Sequence, residues 1–239
     1  MDTVKINKKG TKLIAHRGLC GIETENTIAA FVAAGNRSYF GIETDVHITA
    51  DKKFAIIHDS NTARISGVDM VVEESNFDDL RKLKLYEKDT ENIRWDLCIP
   101  SLAEYISVCK KYDKTAVLEL KYEMSDDILN NIISVIKEAD YIEKVIYISF
   151  SWENVVRMRK LLPTAKIQFL TDVFDEDLEQ KLNEERIDLD VFFGIVTKEM
   201  IDSLHAKGLE VNCWTCDDKA EAEKLIDWGI DYITSNIIE

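Results

Sequence analysis

From Pro100 to the end of the chain, short apolar runs alternate with amphipathic stretches that carry their own start and stop signals, and this alternation restricts the fold more than any other feature. Ser101 is placed to cap a helix through Lys111, and AVLELK (116–121) reads as a strand. The pattern then predicts helix 126–139 and strand VIYISF (145–150), helix 152–162, ended by Pro163, and strand KIQFLT (166–171). It continues with helix 175–185 and strand VFFGIV (191–196), helix 198–207, stopped by Gly208, and strand LEVNCWT (209–215). Helix 218–228, stopped by Gly229, and strand DYITSN (231–236) complete it. Strands alternating with helices of about 10 to 15 residues signal βαβ units and a parallel sheet.

The first hundred residues add two strands to this set. Residues 12–15 run straight into His16-Arg17-Gly18 and a tight polar loop. Residues 27–34 have helical character, with Asn26 or Thr24 available as a cap and Gly35 at the end. Residues 41–46 read as the second strand, and 54–58 as an arm that returns beside it. The total is eight parallel strands, the number of a TIM (β/α)8 barrel, for which about 250 residues are typical. A chain of 239 residues, 46% hydrophobic, fits one such barrel domain over 1–239. An open doubly wound sheet is the competing architecture, but no GxGxxG opens any helix. Residues 61–100 are rich in charge and show no clean strand, with helical character only at 78–85. Some 40 residues rarely hold a core alone. A small insertion at about 60–100, carried on the barrel after the second-strand hairpin, is expected.

The hairpin FGIETDVHITADKKFAIIHDS (40–60) carries most of the chemistry. Glu43 and Asp45, at i and i+2, share a strand face and interrupt an apolar run, where an unpaired buried carboxylate is costly. A metal ion or a cationic partner would offset that cost. With the turn centred near Asp51 and Lys52, Asp45 falls roughly opposite His58, and directly opposed side chains lie about 5 Å apart.

In a barrel of this kind, chemistry sits at the C-terminal ends of the strands. His16 and Arg17 end the first strand, Glu43 and Asp45 the second, His58 the returning arm, and Glu119 and Lys121 the third. Glu43, Asp45 and Glu119 describe a hard oxygen site for one divalent cation, Mg²⁺ or Ca²⁺, rather than zinc. The plainer alternative pairs Glu119 with Lys121 or Arg17 as a structural ion pair. His16 and His58 can divide general base and general acid work, leaving His47 a bystander near the rim and His205 a surface residue of a helix. Arg17 and Lys121 supply cations suited to a phosphate. Metal, base, acid and phosphate clamp together point to phosphoryl chemistry.

The net charge of -15 argues against general binding to nucleic acid or to an anionic membrane surface. No long uncharged apolar run is present, and MDTVKINKKG lacks the apolar region of a signal peptide, so no stable membrane insertion and a cytoplasmic location are expected. Cys20, Cys98, Cys109, Cys213 and Cys216 are an odd number without framework spacing, which suits reduced thiols. Cys213 and Cys216 read as incidental strand residues.

Taken as an ordered set, these motifs resemble the glycerophosphodiester phosphodiesterase family. The match rests on HRG (16–18), ENT (25–27) before a helix containing Phe31, IETDVHIT (42–49), HD (58–59) and LELK (118–121), and on ISF (148–150), VNCWT (211–215) and DYITSN (231–236). The resemblance implies a metal-dependent barrel that splits a small-molecule glycerophosphodiester into glycerol 3-phosphate and an alcohol. It implies His16 and His58 as the acid-base pair, Glu43, Asp45 and Glu119 as metal ligands, Arg17 and Lys121 near the phosphate, and Trp214 as a wall of the pocket. It also ties the segment at about 60–100 to substrate choice.

Two positions depart from the family pattern. Thr24 stands where a proline usually precedes ENT, and the last strand ends in Ser235-Asn236 where the family usually has an aspartate followed shortly by proline. Glu25 reads either as a helix-start residue favoured by the helix dipole or as support for a site residue. Two competing functions remain. A related barrel lysophospholipase D or cyclising lyase would favour an exposed apolar lip, for which the charged insertion gives little support. A non-catalytic binding barrel would be favoured by loss of a motif histidine or acid, and none is lost.

Overall fold

A computed structural model describes residues 2–239. The strands are β1 (Lys12–Ala15), β2 (Gly41–Ile48), β3 (Phe54–Ile56), β4 (Leu85–Tyr86), β5 (Ile93–Arg94), β6 (Thr115–Leu120), β7 (Val145–Ser149), β8 (Lys166–Thr171), β9 (Asp188–Phe192), β10 (Val211–Trp214) and β11 (Tyr232–Ser235). The helices are α1 (Ile28–Gly35), α2 (Ala63–Ser66), α3 (Phe77–Leu80), α4 (Leu102–Tyr112), α5 (Asp126–Glu138), α6 (Trp152–Leu161), α7 (Glu176–Glu185), α8 (Lys198–Ala206) and α9 (Lys219–Asp227).

Neighbouring strands run in the order β1, β11, β10, β9, β8, β7, β6, β2, and β1 also pairs with β2, so the sheet closes on itself. Every one of these pairings is parallel. The architecture is the TIM barrel expected from the alternation. Strands β6 and β7 are buried along nearly their whole length, as parallel strands covered on both faces must be. The helices between strands face them with apolar stripes such as Leu129, Ile132, Ile133 and Ile136 of α5.

β2 outruns its barrel neighbours, and β3 returns antiparallel along its extension, with Val46 opposite Ile56 and Ile48 opposite Phe54. The Thr49 N–H donates to the Lys53 carbonyl at 2.9 Å, and Lys52 takes the left-handed φ of 59° that closes the turn. The turn is therefore centred on Asp51. Asp45 lies beside Ile57, whose N–H reaches its carbonyl at 3.2 Å, rather than opposite His58 as the sequence pattern suggested.

Three further boundaries differ from expectation. Strand β9 starts at Asp188 and gives way after Phe192 to a tight helical turn over 193–195, so it lies several residues earlier than predicted. The strand takes in two acids that precede the apolar run, Asp188 and Asp190, and both are buried. The cap of α1 is Thr27, whose side chain accepts from Ala30 N, and neither Asn26 nor Thr24 takes that role. Residues 77–80 form one short turn of helix instead of a helix over 78–85, which ends in the β4–β5 ribbon.

The insertion has a small apolar cluster of its own. Val72, Leu80, Leu85, Leu97 and Ile99 pack with Ala55 and Ile57 of the hairpin arm. It is also pinned electrostatically: Arg81 donates to the Ile99 carbonyl and to both oxygens of Glu104 in α4. Glu104 in turn forms a capping box with Ser101. Ser101→Ala should lower stability by about 1 kcal/mol without changing turnover, read as a shift of the urea midpoint at constant slope.

Candidate active site

The loop after β1 is shaped by two successive left-handed residues, Arg17 (φ 49°) and Gly18 (φ 76°). A Cβ on Gly18 would stand 2.7 Å from the Ala30 backbone, so this position of HRG accepts only glycine. The sharp turn aims the Arg17 N–H at Glu43, 2.7 Å from Oε2, and the Gly18 N–H at the Glu43 carbonyl, 3.1 Å away. Asn26 is also left-handed, at φ 52°, a conformation that asparagine adopts more readily than most non-glycine residues. Its side chain donates to Asp45 Oδ2 at 2.8 Å and accepts from Thr44 Oγ1 at 2.6 Å.

Glu43, Asp45 and Glu119 come together at the barrel's C-terminal end, each offering an oxygen within 4.8 Å of the other two. All three are buried. Burial, with Asp45 and Glu119 as neighbouring charges, pushes Glu43 well above the usual carboxylate range. Burial and Asp45 push Glu119 up to about 7. Burial also works against ionisation of Asp45, but the Lys121 and Arg17 cations outweigh it and hold that group low. The Lys121 ammonium lies 2.8 Å from Glu119 and 3.3 Å from Asp45, so the plainer ion-pair reading of Glu119 is partly realised. The atom of Asp45 that faces this ammonium is Oδ1, which is buried and makes no hydrogen bond beyond that ion pair. A buried cluster of hard, mutually repelling oxygens is compatible with a divalent cation.

The two motif histidines flank this cluster from different environments. His16 Nε2 stands 3.9 Å from Glu43 Oε2, and its Nδ1 is 2.7 Å from Asn236 Oδ1. Burial and the Arg17 charge depress His16 to about 4. His58 Nδ1 is 2.7 Å from Asp59 Oδ1. Burial pushes His58 below its ordinary value while Asp45 pulls it back. His47 is no bystander at the rim: it is 3% exposed, with Nδ1 2.6 Å from Glu73 and Nε2 3.2 Å from the His58 carbonyl. His205 sits on α8 and pairs with Asp231 at the surface.

A chain of ion pairs joins the loops around the site. Glu25 binds Arg17 at 3.0 Å and takes both Arg64 nitrogens, at 2.8 and 2.9 Å, so it supports site residues rather than a helix dipole. Arg64 then reaches Asp59 at 2.7 Å, and burial notwithstanding, Arg64 and His58 hold Asp59 down at about 2. A cavity of about 1100 Å³ opens over His16, Arg17, Glu25, Arg64, Tyr86 and Asn236. Trp214 does not line it. Its ring instead bridges Phe150 and Phe192, at 5.5 and 5.9 Å between centroids, across the strand ends of β7, β9 and β10. Phe150 is 49% exposed and Val173 64%, so an apolar lip exists, on the barrel rather than on the insertion. Arg64 left no signal in the sequence. Asn26 lay within the ENT motif but read as a helix cap, and its left-handed φ shows only in the folded chain.

The departure at the last strand also finds its place here. Asp217, just after β10, accepts from Ser235 Oγ, from Asn236 N and from Asn236 Nδ2, so a carboxylate reaches the end of β11 from the neighbouring strand.

The model of the glycerophosphoryl diester phosphodiesterase family matches residues 16–239. The chain belongs to this family. A glycerophosphodiester phosphodiesterase of Caldanaerobacter subterraneus is 30% identical over 229 residues, covering 95% of this chain and 94% of that one. A human lysophospholipase D is 26% identical, over 92% of this chain and 81% of its own length. In structure, an Oleispira antarctica phosphodiesterase in complex with sn-glycerol-3-phosphate superposes with a TM-score of 0.85, at 24% identity, over 94% of this chain and 92% of that one. Membership makes the chain an enzyme of glycerophosphodiester hydrolysis. No helix among the described residues is long and apolar enough to cross a membrane.

A cation binds the carboxylate form, whereas Glu119 keeps its proton up to about pH 7 in the cation-free protein. Glu43 is raised as well, so divalent affinity should weaken by at least about tenfold for each pH unit below 7. Titration calorimetry with Mg²⁺ or Ca²⁺ across that range measures it, and Glu119→Gln should flatten the dependence as well as weaken binding.

Proposed function

We propose that the chain hydrolyses small glycerophosphodiesters to glycerol 3-phosphate and an alcohol, with Glu43, Asp45 and Glu119 holding one divalent cation. His16 and His58 form the acid-base pair, Arg17 and Lys121 face the phosphate, and Trp214, which stands outside the cavity against Phe150 and Phe192, borders the apolar lip rather than walling the pocket. The observation that carries this reading is the buried three-carboxylate cluster, in which Asp45 Oδ1 has only the Lys121 ammonium at 3.3 Å and no hydrogen bond, set between two histidines. The relative complexed with sn-glycerol-3-phosphate supports the product class. Residues 1–239 act as one catalytic barrel, in the cytoplasm, where the five free cysteines stay reduced.

The cation, when bound, would neutralise charge developing on the non-bridging phosphate oxygens. The chain's own groups handle the protons. His16, kept neutral by burial and with Nε2 toward the acid cluster, is suited to take a proton. His58, backed at Nδ1 by Asp59, is suited to give one to the leaving alcohol. The substrate carries a hydroxyl on the carbon beside the ester oxygen, and an internal nucleophile gains a large proximity advantage over water. Attack by that oxygen on phosphorus forms a five-membered cyclic phosphate and expels the alcohol. The histidines then exchange roles, and water opens the ring.

A second reading concerns the substrate's other arm. The exposed lip of Phe150, Phe192 and Val173 offers apolar surface beside the strand ends, and the relative named lysophospholipase D supports a lysophospholipid as an alternative diester. Comparing glycerophosphocholine with lysophosphatidylcholine separates the two.

Chelation should abolish turnover, with Mg²⁺ or Ca²⁺ restoring it. His16→Ala or His58→Ala should each lower the rate on the order of 10² to 10⁴, while His205→Ala changes little. Full activity in excess EDTA after dialysis would sink the cation site. A diester lacking the neighbouring hydroxyl should bind yet react far more slowly, and equal turnover would replace the cyclic route by direct attack of water.

A further inference from the structure

We infer that Asp217 is a positioning residue of this enzyme, holding the Asn236 amide so that His16 is fixed as the tautomer with a bare Nε2. The inference rests on the proposed role of His16 as a proton acceptor. Asp217 follows β10, far in sequence from the histidine it acts on. Its carboxylate is an acceptor only. Asn236 Nδ2 lies 2.5 Å from Asp217 Oδ2, so the amide must present its nitrogen to Asp217 and its oxygen to the other side. On that side Asn236 Oδ1 meets two groups, His16 Nδ1 at 2.7 Å and the Cys20 thiol at 2.7 Å. The Cys20 thiol, kept protonated by burial, donates to it. An amide oxygen only accepts, so His16 Nδ1 must carry the proton, and in a neutral imidazole that leaves Nε2 with its lone pair. Nε2 is the nitrogen on the acid-cluster side, 3.9 Å from Glu43 Oε2.

Two further bonds keep Asp217 itself in place. Its Oδ1 accepts from Ser235 Oγ and from Asn236 N, both at 2.7 Å. The His16 N–H reaches the Ser235 carbonyl at 2.9 Å, so the same strand end fixes both the backbone and the ring of His16. A flipped Asn236 amide would set its NH₂ against Nδ1, which would then accept, and the proton would move to Nε2. The ring would lose its base on the side that faces the acid cluster.

The test reads the tautomer directly. In protein labelled with ¹⁵N-histidine, long-range ¹H–¹⁵N spectra distinguish the two tautomers, and His16→Ala assigns the signal among four histidines. Wild-type His16 should be protonated at Nδ1. Asp217→Ala should move it toward the Nε2–H form and lower kcat by about 10- to 100-fold, the usual size of an orienting partner's effect, with KM changed less than about twofold. Adding Asn236→Asp to Asp217→Ala places a carboxylate directly on Nδ1, without the repulsion of Asp217, and should restore both the tautomer and most of the turnover. An unmoved tautomer in Asp217→Ala, or a loss of turnover that the double variant does not recover, would overturn the inference. The tautomer is measured without substrate, so this failure is distinct from that of the hydrolytic reading, which would appear as wild-type protein inactive on every glycerophosphodiester with cation supplied.

Discussion

Mutual repulsion among three buried carboxylates is the constraint on which the catalytic end of this barrel depends. Two unit charges about 4 Å apart interact by about 4 kcal/mol at an effective dielectric of about 20, a large part of the whole stability of a domain. Glu43, Asp45 and Glu119 are held against that repulsion by two side-chain cations, Arg17 and Lys121, by the Arg17 N–H and by the Asn26 amide. Three negative groups against two positive ones leave the balance incomplete. One proton, shared between the two raised acids Glu43 and Glu119, makes up that single charge in the cation-free protein, and a divalent ion is its natural replacement.

The loops follow from that arrangement. The left-handed turn at Arg17 and Gly18 exists to deliver an N–H to Glu43, and the left-handed Asn26 delivers an amide to Asp45. The insertion is bound into the same electrostatic circuit through Arg64, which holds Glu25 with one face and Asp59 with the other. Asp59 in turn backs His58, and His47 beneath supports the His58 carbonyl. A segment that reads as a charged appendage thus reaches the ring proposed to protonate the leaving group.

The barrel was legible because each helix and strand carries a local signal. The capping box at Ser101, the stops at Pro163, Gly208 and Gly229, and the β-branched runs act within a few residues. The errors share one cause. Strand β9 was displaced because the apolar run begins only at Val191, whereas Asp188 and Asp190 are carried inside the strand beside Glu210 N and Asn212. Thr27 rather than Asn26 caps α1 because Asn26 is drawn away by Asp45, a partner 19 residues distant. His47 looked like a bystander because Glu73, its partner, comes from the insertion.

By itself the amino-acid order determined the alternation that makes a closed parallel barrel, the pairing of Glu43 with Asp45 on one strand face, and the placement of His16, Arg17, Glu119 and Lys121 at strand ends. These follow from periods of 2 and 3.6 residues, which are properties of neighbouring positions. Closure decided the rest. Arg64 entered the circuit through Glu25 from a segment without pattern, and Asp217 came to stand behind Asn236 and His16. Each of these is a contact between charges or hydrogen-bonding groups far apart in the chain. Such contacts have direction and distance but no period, so only the folded molecule could choose among them.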